Sequence, residues 1–251
     1  PSESGELASG LSGPGRLAEP ETIVKFIEND ILSQLPLKNK TVLITAGPTY
    51  EQIDPVRFIG NYSSGKMGFE IAKAASSLGA EVILVSGPSH ETIDGYCIKR
   101  IDVSSSDEMY DKVHQFYSKC NIAILSAAVA DFKPQNKASE KIKKRDAELE
   151  IRLEPTTDIL ASLGVIKTHQ YLVGFALETN NELHNAKTKL KNKNLDLIVL
   201  NSLKDKGAGF GGTTNKVKFI NSNNEIVDHT LKSKTEVAQD LLTYIVSKIN
   251  A

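Results

Sequence analysis

Tryptophan is absent from this 251-residue chain, and cysteine and methionine occur only twice each. Cys97 and Cys120 stand at a spacing that fits no metal motif, which excludes a disulfide scaffold and a structural zinc site and points to a reducing, cytoplasmic setting. Long apolar runs are missing too. The stretches 41–46 and 121–128 fall far short of the ~20 residues that cross a bilayer, so no membrane span is expected. Nor is there an excess of either charge: Lys and Arg number 30 against 31 for Asp and Glu. A net charge of −1 gives no field for a nucleic acid backbone, so any bound anion must meet a local cluster. The five histidines show no ligand spacing, and no G-x-G-x-x-G fingerprint supports a dinucleotide oxidoreductase. The sequence starts at Pro1, with no basic start leading into an apolar stretch, and reads as a fragment or processed product without a secretory signal.

What is present is ordinary globular material, 40% hydrophobic and 24% charged. Residues 1–20, rich in glycine and proline, read as an arm or linker. Residues 21–39 read as a connecting helix, with Ile23, Phe26, Ile27 and Ile31 at helical spacing, and 40–251 as the main domain. There a β-branched run at 41–45 ends in Ala46-Gly47-Pro48, as a buried strand does. Met67, Ile71, Ala74, Ala75 and Leu78 then form a helical stripe stopped by Gly79. Further strands at 81–86, 122–126, 171–176 and 195–201 alternate with helices at 107–118 and 181–193. This alternation predicts an α/β fold with a doubly wound, mainly parallel, Rossmann-like sheet. Strands at 216–220 and 225–230 around Asn221-Ser222-Asn223-Asn224 predict a C-terminal β-hairpin, followed by a helix over 236–249. Ligands sit at the carboxyl ends of such strands, so the loops after Thr45, Ser126 and Ala176 should face one crevice.

Three motifs could carry chemistry there. Gly60-Asn61-Tyr62-Ser63-Ser64-Gly65-Lys66-Met67 opens the first long helix, where free N–H groups can cradle a phosphate or simply be capped by Ser and Gly. Met67 stands where a P-loop needs a hydroxyl for magnesium, and the preceding strand ends too early, so a P-loop is rejected. Asp131, after the small residues Ala127-Ala128-Val129-Ala130, is either a ligand for ribose hydroxyls or magnesium, or a loop carboxylate that caps a turn. Lys141-Ile142-Lys143-Lys144-Arg145 lies in a polar loop that runs from Phe132 to about Ala147; it is either a solvated basic face or a lid bringing cations to a polyphosphate. Lys189 and Lys193 share one helix face, with solvation as the default explanation.

Residues 44–51 (ITAGPTYE), 53–57 (IDPVR) and 61–68 (NYSSGKMG) closely resemble the signature of phosphopantothenoylcysteine synthetases of the bacterial, CTP-dependent type. Matching segments follow in order at 127–131, 141–144, 158–160, 173–179 (VGFALET, ending at Thr179) and 194–198. The resemblance implies a ligase of coenzyme A biosynthesis that joins 4′-phosphopantothenate to L-cysteine through an acyl-cytidylate, releasing pyrophosphate and CMP. It implies CTP and Mg2+ as nucleotide and metal, and a homodimer. By the same resemblance, Leu125, Ser126 and Ala127 read the base and Asp131 binds the nucleotide or its metal. Lys141 meets the triphosphate, with Ser63, Ser64, Gly65 and Gly68 at the helix start. Thr156, Thr157, Asp158 and Ile159 flank the pocket and Phe175 lines it. Lys189 and Lys193 add phosphate contacts, and Asn61 holds the acyl intermediate while cysteine attacks. Many members carry Asn-Pro where Thr156-Thr157 stand, which affects the backbone contacts there. The segment Glu3-Ser4-Gly5-Glu6-Leu7-Ala8-Ser9-Gly10 resembles the tail of a flavin-dependent decarboxylase fused upstream, with Ser9 where many relatives carry a catalytic cysteine. FMN is therefore implied only together with that upstream domain. Two rival readings stand beside the ligase: a nicotinamide-dependent reductase, which would share the fold, and a non-catalytic nucleotide-binding module.

Overall fold

In a computed structural model of the chain, residues 2–6, 9–144, 149–178, 180–202 and 212–249 are described. Leu7, Ala8, Arg145, Ala147 and Thr179, named above, lie outside them. The main sheet contains eight strands, numbered here in chain order: β1 (Thr41–Ala46), β2 (Glu81–Ser86), β3 (Ile98–Asp102), β4 (Ile122–Leu125), β5 (Tyr171–Glu178), β6 (Leu197–Ser202), β7 (Val217–Asn221) and β8 (Ile226–Asp228). They lie in the order β8-β7-β6-β5-β4-β1-β2-β3. The pairs from β3 through to β6 are parallel, while β7 and β8 form the antiparallel hairpin expected from the asparagine-rich turn.

Alternation along the strands divides the core into two layers. Val42, Ile44, Val82, Leu84, Ile122, Ile124, Val199 and Phe219 face a layer built with α2 (Lys66–Ser77) and α6 (Lys234–Ile249). Leu43, Ile83, Val85, Ala123, Leu172, Ile198 and Ile220 face the opposite layer. There they meet Met109, Val113 and Tyr117 of α3 (Ser106–Tyr117), Leu163 of α4 (Ile159–Ile166), and Ala186 and Leu190 of α5 (Glu182–Asn192). Both faces are covered, which is why the inner strands read as continuous apolar runs rather than as alternating ones.

Elements absent from the sequence reading include short strand pairs of Tyr50–Gln52 with Phe58–Gly60, Phe132–Pro134 with Leu153–Pro155, and Thr214–Asn215 with Lys232–Ser233. β3 and α4 are additional elements, and the arm is a small antiparallel hairpin of Glu3–Glu6 with Ser12–Arg16 rather than an unstructured linker. The connecting helix α1 (Pro20–Ser33) forms where the periodicity places it but buries none of its residues; Val24, Phe26, Ile27 and Ile31 are each at least half exposed. No helix among the described residues is long and apolar enough to cross a membrane.

Candidate functional site

The strand order reverses between β1 and β4, and their exit loops are laced together at that switch point. Ala128 N donates to Gly47 O at 2.8 Å, and Ser126 N to Thr45 O at 3.3 Å. Two buried hydroxyls complete the lacing: Thr45 Oγ1 accepts from Ala127 N at 3.1 Å, and Thr49 Oγ1 from Ala130 N at 3.0 Å. The short side chains at 127–130 thus form a fixed crest whose main chain is held from behind. Two adjoining clefts open on either side of it and share Ala127, Ala128, Phe175 and Leu177.

The first cleft gathers most of the residues expected to hold a nucleotide: Leu125, Ala127, Asp131, Thr156, Thr157, Asp158, Ile159, Phe175 and Lys193, with Asn61 at its edge. Asp131 is exposed at the rim. Thr156 is tied to the crest, its hydroxyl donating to Ala130 O at 2.6 Å and its N–H to Asp131 O at 2.9 Å. Asp158 caps α4 by accepting from Ala161 N at 2.9 Å, and it pairs with Lys193 at 2.7 Å. Burial pushes the Asp158 carboxyl up, but the Lys193 ammonium and the Ala161 N–H outweigh it and hold the group below its ordinary range.

Asn61, at the edge of the first cleft, turns its amide toward the crest. Its Nδ2 donates to Ala128 O at 3.0 Å and to Val129 O at 3.1 Å, so both N–H groups are engaged with the crest. Two carbonyl acceptors also fix which way the amide points, because its oxygen could bond neither of them.

The second cleft begins at the start of α2. Ser63, Ser64, Gly65, Lys66 and Met67 line it with Ser126, Phe175, Asn201, Asn215 and Lys234. Gly65 precedes the helix at φ 85°, a left-handed conformation that favours glycine. Its would-be Cβ would lie 3.0 Å from Ser89 Oγ and 3.1 Å from Gly47 N. Gly68 is buried and lines neither cleft: a Cβ there would come within 2.6 Å of Ala46 Cβ, so its absence lets α2 pack against β1. That close approach, rather than contact with a nucleotide, is what this structure shows for Gly68.

Two expected cations are placed elsewhere. Lys141 is exposed and lines neither of these clefts. Its segment is fastened to the 53–57 turn: Ala138 N donates to Ile53 O at 3.0 Å, Ile142 N to Asp54 Oδ2 at 3.1 Å, and Arg57 Nη2 to Ile142 O at 2.8 Å. Asp54 is buried and also accepts from the main-chain N–H groups of Val56 and Arg57. The Arg57 guanidinium and these N–H groups hold its carboxyl well below the usual carboxylate range despite burial. The basic segment is therefore latched by Asp54 rather than laid over the crevice of its own chain. Lys189 lines neither cleft and pairs with Glu178 at 2.6 Å. Burial raises the Glu178 carboxyl, while Lys189 and Asn185 lower it by more.

Sequence reasoning missed Thr45, Thr49, Asp54, Arg57, Asn201, Asn215 and Lys234. The IDPVR run could have flagged the Asp54–Arg57 pair, since Asp followed by Pro and then a cation three residues on is a turn signal. Lys234 carries no such signal; it is one of a run of polar residues, 232–235, that reads as a solvated face. Among the described residues, no group of three or more His, Cys, Asp or Glu could hold a metal by itself. A magnesium ion that arrives on a triphosphate needs only one or two carboxylates from the protein, and Asp131 on the cleft rim fits that requirement.

The family model described as DNA/pantothenate metabolism flavoprotein C-terminal domain matches residues 37–249. A prokaryotic protein named cysteine/cysteine sulfinic acid decarboxylase is 52% identical over 252 residues, covering 98% of this chain and 70% of that protein. The coenzyme A biosynthesis bifunctional protein CoaBC of Bacillus subtilis is 46% identical over 249 residues, covering 98% of this chain and 61% of its own length. Among solved structures, the C-terminal domain of a CoaBC protein superposes with a TM-score of 0.74 at 39% identity, covering 86% of this chain and 99% of that one. A Cab2 mutant in complex with phosphopantothenate-cysteine gives a TM-score of 0.66 at 20% identity, covering 92% of this chain and 95% of that one.

Proposed function

The chain belongs to the family of DNA/pantothenate metabolism flavoprotein C-terminal domains, and from that premise we propose that it is a CTP-dependent phosphopantothenate-cysteine ligase. It spans 61% of the length of its Bacillus subtilis relative, so the proposal concerns the step carried by this part of such a protein. The observation that carries it is the pair of clefts meeting at the 127–130 crest, one rimmed by Asp131, Asp158 and Lys193, the other walled by the start of α2. The phosphopantothenate-cysteine bound by the Cab2 mutant supports the choice of substrates.

In this reading the carboxylate of 4′-phosphopantothenate attacks the α-phosphorus of CTP. The bond to the β-phosphate breaks, pyrophosphate leaves, and an acyl-cytidylate remains. The amine of L-cysteine then attacks the acyl carbonyl, CMP departs, and the amine loses a proton as the amide forms. Bringing two anions together requires positive charge. Lys193 supplies it by exchanging Asp158 for a phosphate oxygen, and Lys141 by leaving the Asp54 latch, within its own chain or across a homodimer. Mg2+, bound with the triphosphate and held by Asp131, would neutralise phosphate charge. The N–H groups of Asn61 keep the crest in place, and its free oxygen accepts a hydrogen from the incoming amine, so that Asn61 orients the nucleophile. The lacing through Thr45 and Thr49 keeps the main chain at Ser126 and Ala127 fixed against the base.

The test is product formation from phosphopantothenate and cysteine with CTP or ATP in parallel. Phosphopantothenoylcysteine and pyrophosphate in equal amounts, faster with CTP, are expected. Lys141→Gln should slow pyrophosphate release about 100-fold, the usual cost of one electrostatic contact to a transition state. Binding of CTP without pyrophosphate release would make the chain a nucleotide-binding module instead, and tight NADPH binding would make it a reductase. The decarboxylase named among the relatives gives a further control: carbon dioxide release from cysteine alone is not expected.

A further inference from the structure

Lys234 is a lysine on which burial, a neighbouring cation and its place at a helix start all weigh against a charge. It is 5% exposed and lines the second cleft, and no ion pair or side-chain hydrogen bond engages its ammonium among the described residues. It is the first residue of α6, at the positive end of the helix dipole, where a cation is disfavoured. The start of that helix is fixed by a reciprocal cap. Ser233 Oγ accepts from Glu236 N at 3.2 Å, and Glu236 Oε2 accepts from Ser233 N at 2.9 Å. Lys66, the first residue of α2, faces the same cleft, so two helix N-termini and two lysines converge there. Burial and the neighbouring Lys66 pull the Lys234 pKa below its ordinary value, with Glu91 opposing them. Among the described residues, no carboxylate lines the cleft. Beside the lysines, Asn201 Oδ1 is buried with no hydrogen-bond partner among the described residues. An anion in this cleft would offset all of these costs at once.

We infer that Lys234 and Lys66, with the hydroxyls of Ser63 and Ser64, hold the terminal phosphate of the acid substrate in the second cleft. The inference rests on the ligase reading and gives it a direction. Nucleotide occupies the cleft of Asp131 and Asp158, and the reacting carboxylate lies at the shared wall near Asn61. The phosphate end of the acid extends past Phe175 toward α6. A phosphate monoester carries close to two negative charges near neutral pH, which matches the two lysines of a cleft that no described carboxylate lines. Lys234 is thus a specificity residue, selecting the phosphorylated acid over pantothenate itself.

The experiment measures pyrophosphate release with CTP for the wild type, Lys234→Gln, Lys234→Met and Lys66→Gln, using 4′-phosphopantothenate and pantothenate as alternative acids. The inference expects the KM for 4′-phosphopantothenate to rise roughly 10- to 100-fold in both Lys234 variants and less in Lys66→Gln, because each loses a charge-assisted hydrogen bond. The KM for CTP should stay within about twofold, and the preference for the phosphorylated acid should shrink by the same factor. An unchanged preference in the Lys234 variants overturns the inference, as does a rise confined to the KM for CTP. If removing Lys234 prevents folding, the same comparison rests on Lys66→Gln and on calorimetric titration of the wild type with the two acids, where equal affinities overturn it. Wild-type protein that releases no pyrophosphate with either acid defeats the ligase reading itself, a separate outcome.

Discussion

The two clefts on either side of the 127–130 crest treat their lysines in opposite ways. In and beside the first, Lys193 is paired with Asp158 and Lys189 with Glu178, so each cation is already neutralised and must exchange a carboxylate for a phosphate. In the second, Lys66 and Lys234 share a cleft that no carboxylate among the described residues lines. Exchangeable pairs suit a ligand that comes and goes as triphosphate, pyrophosphate and monophosphate. Uncompensated buried charge suits a group that is held unchanged through both half-reactions, since it binds whatever anion restores balance and releases it reluctantly.

The largest effect should come from the wall between them. Asn61→Asp replaces two donors by a carboxylate facing the carbonyls of Ala128 and Val129. Amide formation should fall roughly 100- to 1000-fold while acyl-cytidylate accumulates in quenched-flow samples; wild-type turnover would remove Asn61 from the mechanism. Thr49→Val strips the crest of one support by leaving the buried Ala130 N–H without its acceptor. Denaturant unfolding should show a loss of about 1–3 kcal/mol, and a loss near zero would mean that the crest is not held from behind.

Lys193→Gln sharpens the contrast more directly. It should raise the KM for CTP about 10-fold and leave the KM for phosphopantothenate unchanged, the converse of the Lys234 variants. It also has a signature in pH. With Lys193 in place the folded Asp158 pKa lies below its ordinary value. Its contribution to stability is then present above the unfolded pKa of about 3.9 and lost as pH falls through the lower folded value. In the variant only the Ala161 N–H and the more distant Lys189 still lower that pKa, so the acid-side loss should shrink in melting curves taken between neutral pH and pH 3. The smallest change is expected from Lys189→Ala. Its pair with Glu178 is partly open to solvent, with 43% of the lysine side chain exposed, so stability should move by less than about 1 kcal/mol.

How far this site can be seen in the sequence depends on how far apart its partners lie. The strands at 41–46 and 122–125 are legible because each is a short, fully buried apolar run, and the first-cleft residues follow from the loops that end them. β3 is hidden because Ile98-Lys99-Arg100-Ile101-Asp102 is an edge strand, half exposed and interrupted by charge. α4 is hidden for the opposite reason: its eight residues are apolar on nearly every side, and a short run of that kind carries no period. The Lys141 run leaves a lid and a solvated face both open, because five adjacent residues cannot disclose that Asp54, far earlier in the chain, takes the neighbouring N–H of Ile142. The same holds for Lys234, whose meaning comes from α2, a helix that starts far earlier in the chain, at Lys66.

The most direct measurement is a single-turnover reaction of wild-type protein with 4′-phosphopantothenate, Mg2+ and CTP labelled in its α-phosphate, with cysteine omitted. Stoichiometric pyrophosphate and a protein-bound acyl-cytidylate, converted to phosphopantothenoylcysteine and CMP when cysteine is added, are the predicted result. Unchanged CTP after many minutes, in protein shown by titration to bind both substrates, would contradict it.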